Sequence, residues 1–293
     1  MSIEVQPLTP AFGAEIKGVD LVSCSAAEFD GILEIFSEYG VVFFRDQQRL
    51  SEKEHIDLAS RFGEIHIHPA ARGREDAYPG LLKMKTNKES TVAAGNRWHS
   101  DVSCDEFPPY ASILQLHETP SSGGDTLFAS LCAAYEALSD PMKTMLDGLT
   151  ALHSGEEPFR HLFKFQNHQA GQGWPENDHP IVREHVSSGR PALFIDREFT
   201  KKINELPKDE GKALLEFLFG HTERVDFQCR FQWTPNAIAI WDNRCVLHHA
   251  LWDYWPEQRT GSRVTTVGEK PVAWRLSDHS KVQKERSSIR LTA

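Results

Sequence analysis

One constraint dominates this sequence. His99 and Asp101 stand two residues apart in Trp98-His99-Ser100-Asp101, and the candidate third member of their set, His248, lies far downstream in Leu247-His248-His249-Ala250. Two histidines and one carboxylate on one face of a metal ion are the ligand set of the non-heme Fe(II) oxygenases, with the opposite face left open. For such residues to meet, the fold must carry segments that are distant in the chain to one point. In an extended strand the side chains at i and i+2 share a face, which predicts that His99 and Asp101 reach one ion together while Ser100 turns away. His-x-Asp alone occurs often by chance, so the tripeptide needs support from elsewhere in the chain.

Support comes from downstream. The apolar run Ala237-Ile238-Ala239-Ile240-Trp241 reads as a buried strand leading toward His248. Arg259 and Arg263 follow in a stretch ending Val264-Thr265-Thr266-Val267, also strand-like. Positions i and i+4 of a strand share a face, and two arginines aimed into one interior require anionic partners. Spacing alone equally allows two solvated arginines on an edge strand. The metal triad tips the balance toward the interior.

The rest of the chain alternates strands with a few helices. Ser25-Ala26-Ala27-Glu28 is a capping box opening a helix whose apolar residues Phe29, Ile32, Leu33 and Phe36 recur at helical spacing until Gly40 stops it. Val41-Val42-Phe43-Phe44 reads as a buried strand, and Ser51-Glu52-Lys53-Glu54 caps a second helix predicted to end at Gly63. Tyr135-Glu136-Ala137-Leu138 and Ala213-Leu214-Leu215-Glu216-Phe217-Leu218 suggest two more helices. Residues 159–178 are rich in His, Gln, Asn and Gly with little periodicity, which predicts an insertion or lid. The expected architecture is a single domain over residues 1–293, mainly β with flanking helices around a double-stranded β-helix, a cupin-like jelly roll with the metal in its open mouth.

Composition narrows the partners. With 32 Lys and Arg against 42 Asp and Glu the formal net charge is −10, which lacks the basic footprint of a nucleic-acid binder. An anionic ligand must then be captured by a local positive pocket. At 40% hydrophobic residues the chain has a sizeable core, and no run approaches the roughly 20 apolar residues of a membrane span. Met1-Ser2-Ile3-Glu4-Val5 is neither basic nor followed by an apolar signal region, so a cytoplasmic location is expected. The five cysteines are odd in number and show no Cys-x-x-Cys pair, which reads as reduced, packed thiols, Cys245 among them.

Several ordered motifs carry a family resemblance. They are Arg61-Phe62-Gly63-Glu64-Ile65-His66-Ile67-His68-Pro69, Trp98-His99-Ser100-Asp101-Val102, Gly123-Gly124-Asp125-Thr126, Ala134-Tyr135-Glu136-Ala137-Leu138-Ser139, Trp241-Asp242-Asn243-Arg244, and Asp253-Tyr254-Trp255-Pro256 running on to Arg259 and Arg263. On these the chain resembles the taurine dioxygenase family of Fe(II)/2-oxoglutarate-dependent oxygenases, which also includes aryloxyalkanoate dioxygenases and alkylsulfatases. The resemblance implies that His99, Asp101 and His248 bind Fe(II), that Thr126 and Arg259 hold the far carboxylate of 2-oxoglutarate, and that O₂ is the oxidant. It implies hydroxylation of a C–H bond of a small anionic organic substrate (a sulfonate, sulfate ester or carboxylate), with succinate and CO₂ as co-products. A homo-oligomer, dimer or tetramer, is implied in the same way. An arginine fork and a threonine hydroxyl suit a carboxylate, and Gly123-Gly124 suits a tight turn ahead of Thr126.

His68, Val102 and Arg263 match the family positions that receive a substrate's anionic head. The amine side departs from the family: Ala71 stands where a tyrosine is expected and Gly95 where an asparagine is expected. Taurine dioxygenase proper and aryloxyalkanoate dioxygenase are both open alternatives, and the two departures predict a bulkier acid without an amine. Two further readings are a zinc hydrolase using the same ligands, for which Arg259 and Thr126 have no clear purpose, and a metal-free binding protein on a cupin-like barrel.

Overall fold

A run that is apolar at every position, such as Val41-Val42-Phe43-Phe44, is stable as a strand only if both of its faces are covered. The structure, a computed structural model that describes residues 3–10, 12–69, 77–161 and 174–276, provides that cover. In chain order it runs β1 (Glu4–Pro7), β2 (Ala14–Lys17), α1 (Ala26–Tyr39), β3 (Val41–Phe44), α2 (Glu52–Ser60), β4 (Ile65–His66) and β5 (Leu81–Thr86). There follow β6 (Pro109–Glu118), β7 (Thr126–Ser130), α3 (Leu131–Glu136), α4 (Asp140–Leu146), β8 (Thr150–Ser154) and α5 (Glu156–His161). The chain continues through β9 (Glu176–Pro180), β10 (Val182–His185), β11 (Arg190–Leu193), β12 (Thr200–Ile203) and α6 (Lys208–Thr222) to β13 (Gln228–Phe231), β14 (Ile238–Asp242), β15 (Val246–Ala250) and β16 (Arg259–Val267).

Eight strands form the large sheet in the order β1-β2-β3-β14-β6-β16-β4, with β5 also paired to β16. A smaller sheet of three, β13-β7-β15, packs against it, while β12-β8-β9 and β10-β11 form separate sheets. The two-residue alternation of the central strands accounts for the layering. Val41, Phe43, Leu114, Leu116, Ala239 and Trp241 face the smaller sheet. Their neighbours Val42, Phe44, Ile113, Ile238 and Ile240 face helices α1 and α2. Phe43 stacks on Phe231 of the smaller sheet with ring centroids 4.2 Å apart and meets Phe128 edge-on at 5.4 Å. The result is a mainly β jelly roll with its helices outside, as the sequence predicts.

Both capping boxes form: the Ser25 side chain accepts from the Glu28 N–H and the Ser51 side chain from the Glu54 N–H, each answered by the glutamate. Caps of this kind contribute about 1 kcal/mol apiece. Gly40 ends α1 in the left-handed conformation at φ 71°, which glycine adopts without strain. Helix α2 stops at Ser60, short of Gly63, because its last turn tightens and the Arg61 and Phe62 N–H groups donate to Leu58 and Ala59.

Of the predicted lid, residues 162–173 lie outside the described residues. Its edges are regular: Phe159 lies on α5, and β9 takes up residues from Glu176, pairing with β8 in a register that sets His179 opposite Ala151. The strand Glu-Asn-Asp-His-Pro has the polar His179 at its buried position, so the apolar–polar alternation of a half-buried strand is missing and the sequence reads there as loop. Ala71 likewise lies outside the described residues. Among the described residues no helix is long and apolar enough to cross a membrane.

Candidate active site

The three residues separated in the chain meet between the two sheets. His248 lies on β15 of the smaller sheet, and His99 pairs with it as an isolated antiparallel bridge. Their backbones exchange hydrogen bonds, His99 N–H to His248 O at 3.1 Å and His248 N–H to His99 O at 2.9 Å, which sets the rings side by side with centroids 4.1 Å apart. The expected strand over His99–Asp101 is not present: after the bridge the chain turns at Asp101, and Val102 takes φ 45°. Positive φ is unusual for a β-branched residue and is sustained only by its surroundings. Ser100 still points away, donating to the Asn243 carbonyl at 2.7 Å, so His99 and Asp101 converge through a turn instead of a pleat.

Asp101 Oδ1 lies 3.8 Å from His99 Nε2 and 3.9 Å from His248 Nε2. Two donors on one ion with bonds of about 2.1 Å lie at most about 4.2 Å apart, and Asp101 meets that limit with both histidines. The protonation states agree. His99 Nδ1 sits 2.8 Å from the Arg97 carbonyl, which obliges it to donate and leaves Nε2 free to ligate. Burial and the neighbouring His99 hold His248 well below its ordinary pKa, so its imidazole is neutral. Burial pushes the Asp101 carboxyl up, but Arg263, His248, His99 and the Ser112 hydroxyl outweigh it and keep the group ionised. The residues fit a divalent metal.

Around the triad lies a ring of polar contacts. Ser112 Oγ donates to Asp101 Oδ2 at 2.6 Å and Arg263 Nη1 to Asp101 Oδ1 at 2.5 Å. Asn243 ties these together, accepting from the Asp101 N–H at 3.2 Å and from Trp241 Nε1 at 3.0 Å, and donating to Ser112 Oγ at 2.8 Å. The turn that carries Asn243 is held by Asp242, which accepts from Arg244 and pairs with His185 at 3.0 Å. Such contacts orient ligands, and the two donors on Asp101 keep its carboxylate ionised.

The triad opens into a cavity of about 400 Å³ whose wall includes Thr126, Arg259, Arg263, His68, Val102 and Glu198. Arg259 and Arg263 share one face of β16, as their spacing predicts, and both line this cavity. Arg259 is buried, with Nε and Nη2 lacking any hydrogen-bond partner among the described residues, while its guanidinium lies 5.8 Å from the Trp233 ring centroid. Trp233 Nε1 donates to Thr126 Oγ1 at 2.9 Å, leaving the threonine's own proton to be donated elsewhere. Unpaired guanidinium nitrogens beside a hydroxyl donor call for a carboxylate. His68 packs edge-on to Phe159 at 5.6 Å, and Val102 is buried beside the triad.

Thus all eight predicted site residues line one cavity. Sequence reasoning missed Ser112, Asn243, Trp233 and Glu198. Only Asn243 lies in a motif that the sequence singles out; the others reach the site by tertiary packing. Cys132, His185 and Cys245 also cluster, but both ring nitrogens of His185 are taken by Ser188 and Asp242, and the Cys132 contact and burial keep the Cys245 thiol protonated. Cys245 is buried, 5% exposed.

Comparison with known proteins places this geometry. The family described as "Taurine catabolism dioxygenase TauD, TfdA family" matches residues 4–265. An alpha-ketoglutarate-dependent sulfate ester dioxygenase of Pseudomonas putida is 34% identical over 281 residues, covering 93% of this chain and 92% of the relative. An alpha-ketoglutarate-dependent 2,4-dichlorophenoxyacetate dioxygenase of Cupriavidus pinatubonensis is 31% identical over 290 residues, 93% of this chain and 100% of the relative. The crystal structure of a taurine dioxygenase from Burkholderia xenovorans superposes with a TM-score of 0.79 at 33% identity, covering 93% of each chain.

Proposed function

We propose a division of labour for the site from the premise that this chain belongs to the TauD, TfdA family of taurine catabolism dioxygenases. The protein is an Fe(II)- and 2-oxoglutarate-dependent dioxygenase that hydroxylates a C–H bond of a small anionic organic substrate. When bound, Fe(II) with 2-oxoglutarate and O₂ supplies the oxidising power, with succinate and CO₂ as co-products.

His99, Asp101 and His248 hold the metal on one face, with Asp101 as its only anionic protein ligand. Thr126 and Arg259 anchor the far carboxylate of 2-oxoglutarate; the observation that carries this is the pair of unpartnered Arg259 nitrogens beside a hydroxyl whose proton is free. Arg263, His68 and Val102 receive the anionic head of a sulfonate, sulfate ester or carboxylate. The walls Phe159, Phe199 and Trp241 keep water from the reacting carbon. A zinc hydrolase or a metal-free binding protein gives the Arg259–Thr126 anchor no purpose.

We read residues 1–293 as one dioxygenase domain, a reading supported by both sheets contributing to the site. The cysteines, all free thiols, support a reducing compartment such as the cytoplasm. Assembly as a homodimer or tetramer rests on the family resemblance alone.

The test is an anaerobic titration with Fe(II) and 2-oxoglutarate, followed by a turnover screen of sulfonates, sulfate esters and carboxylates. A visible charge-transfer band that Asp101→Ala abolishes, with loss of coupled hydroxylation, is expected. Full activity in that variant would sink the triad assignment.

A further inference from the structure

With Arg259 and Thr126 given to 2-oxoglutarate, two groups of opposite charge on the cavity wall keep unsatisfied atoms: Arg263 Nε and Glu198 Oε2. Glu198 is 6% exposed, and its Oε2 has no hydrogen-bond partner among the described residues. The nearest ion-pair partner, His99 Nδ1, is 3.8 Å away and already donates to the Arg97 carbonyl at 2.8 Å. A buried carboxylate oxygen without a donor is costly, and such a cost at a cavity wall is relieved by what enters the cavity.

The position of this carboxylate adds a second argument. Gly95 carries no side chain, and a Cβ there would lie 3.5 Å from His99 Cε1. The gap at Gly95 and the carboxylate of Glu198 therefore both border the His99 imidazole, on the wall of one cavity.

We infer that Glu198 is a specificity-determining residue that accepts a hydrogen bond from a protonated amine on the substrate, whose anionic head is held at Arg263. This rests on the proposed function above and replaces the expectation of an amine-free acid, which followed from Ala71 and Gly95 without knowledge of Glu198. The site then selects zwitterions by pairing each end, and it disfavours acids that place a second anion against Glu198.

The test is calorimetric titration of the anaerobic Fe(II)- and 2-oxoglutarate-loaded protein with ω-amino-alkanesulfonates, from ethane to hexane, and with the unsubstituted alkanesulfonates of the same lengths. The amino acids of each pair should bind about tenfold tighter, the scale of one charge-assisted hydrogen bond. Glu198→Gln and Glu198→Ala should bring that ratio to about one while leaving 2-oxoglutarate binding as it was. An unsubstituted series that binds equally well or better, or a ratio that survives both variants, overturns the inference. So does equal weakening of both series together with weaker Fe(II) binding, which would make Glu198 a support for His99. If neither series binds although Fe(II) and 2-oxoglutarate do, the reading of the Arg263 wall as an anion site fails, and this inference with it.

Discussion

Arg263 donates to Asp101 Oδ1 at 2.5 Å, so the arginine assigned to the substrate also grips the carboxylate of the metal triad. Its Nε remains unpaired, and the guanidinium can hold both partners at once because its five donors are spread over a rigid plane. The proposed metal and substrate sites are thus joined through one side chain.

Arg263→Ala should therefore do more than weaken substrate binding. It removes the strongest electrostatic support of a buried Asp101, and loss of such an outer contact costs about 10–100-fold in metal affinity. Fe(II) titration of the variant measures this directly. Unchanged Fe(II) affinity with weakened substrate binding would confine Arg263 to the substrate.

Arg259→Ala should raise the 2-oxoglutarate requirement with any substrate by about 1.5–3 kcal/mol, the worth of a hydrogen bond to a charged group. Trp233→Phe keeps the ring under the guanidinium but releases the Thr126 hydroxyl, and should raise the requirement by a smaller amount, about 1 kcal/mol. In the double variant Trp233→Phe with Thr126→Val the two effects should not add, since both act through one hydroxyl. Steady-state titration of 2-oxoglutarate in the wild type, Arg259→Ala, Trp233→Phe, Thr126→Val and the double variant checks both statements.

His55 bridges helix α2 to the large sheet, between Ser262 Oγ at 3.1 Å and the Ile113 carbonyl at 3.0 Å. Burial lowers its pKa from the ordinary 6.5 to about 4. Between those values the unfolded chain binds a proton that the folded protein does not. The stability contributed by neutral His55 is complete above pH 6.5 and falls as pH drops toward 4, by up to about 1.4 kcal/mol per pH unit. Thermal unfolding of the wild type should steepen over that window, and His55→Gln should flatten it; parallel profiles would count against the assignment.

Gly261 lies where β16 shifts register against β6, and a Cβ there would meet the Gln115 carbonyl at 2.4 Å and a Leu116 methyl at 2.7 Å. Backbone cannot yield as a side chain can. Gly261→Ala should destabilise the protein by about 1–3 kcal/mol, and because Arg259 and Arg263 lie on either side of it, 2-oxoglutarate binding should weaken too. Chemical denaturation and cosubstrate titration measure the two effects separately.

Much of this protein is written in local pattern. The capping boxes at Ser25 and Ser51, the alternation through Phe43 and Trp241, and the paired faces of Arg259 and Arg263 depend only on helical and strand periods, which a sequence carries residue by residue. The ordered motifs also singled out the residues proposed to hold metal and cosubstrate, all of which line one cavity. The strand expected at His99–Asp101 proved to be a bridge and a turn, since pairing with His248 and contact with Asn243 override what three residues prefer alone. Glu198, Ser112 and Trp233 gave no signal: their effect comes from the direction in which distant strands aim them and from burial that leaves a charge without water. That is decided by packing in three dimensions, where the same carboxylate is ordinary on a surface and selective in a closed cavity.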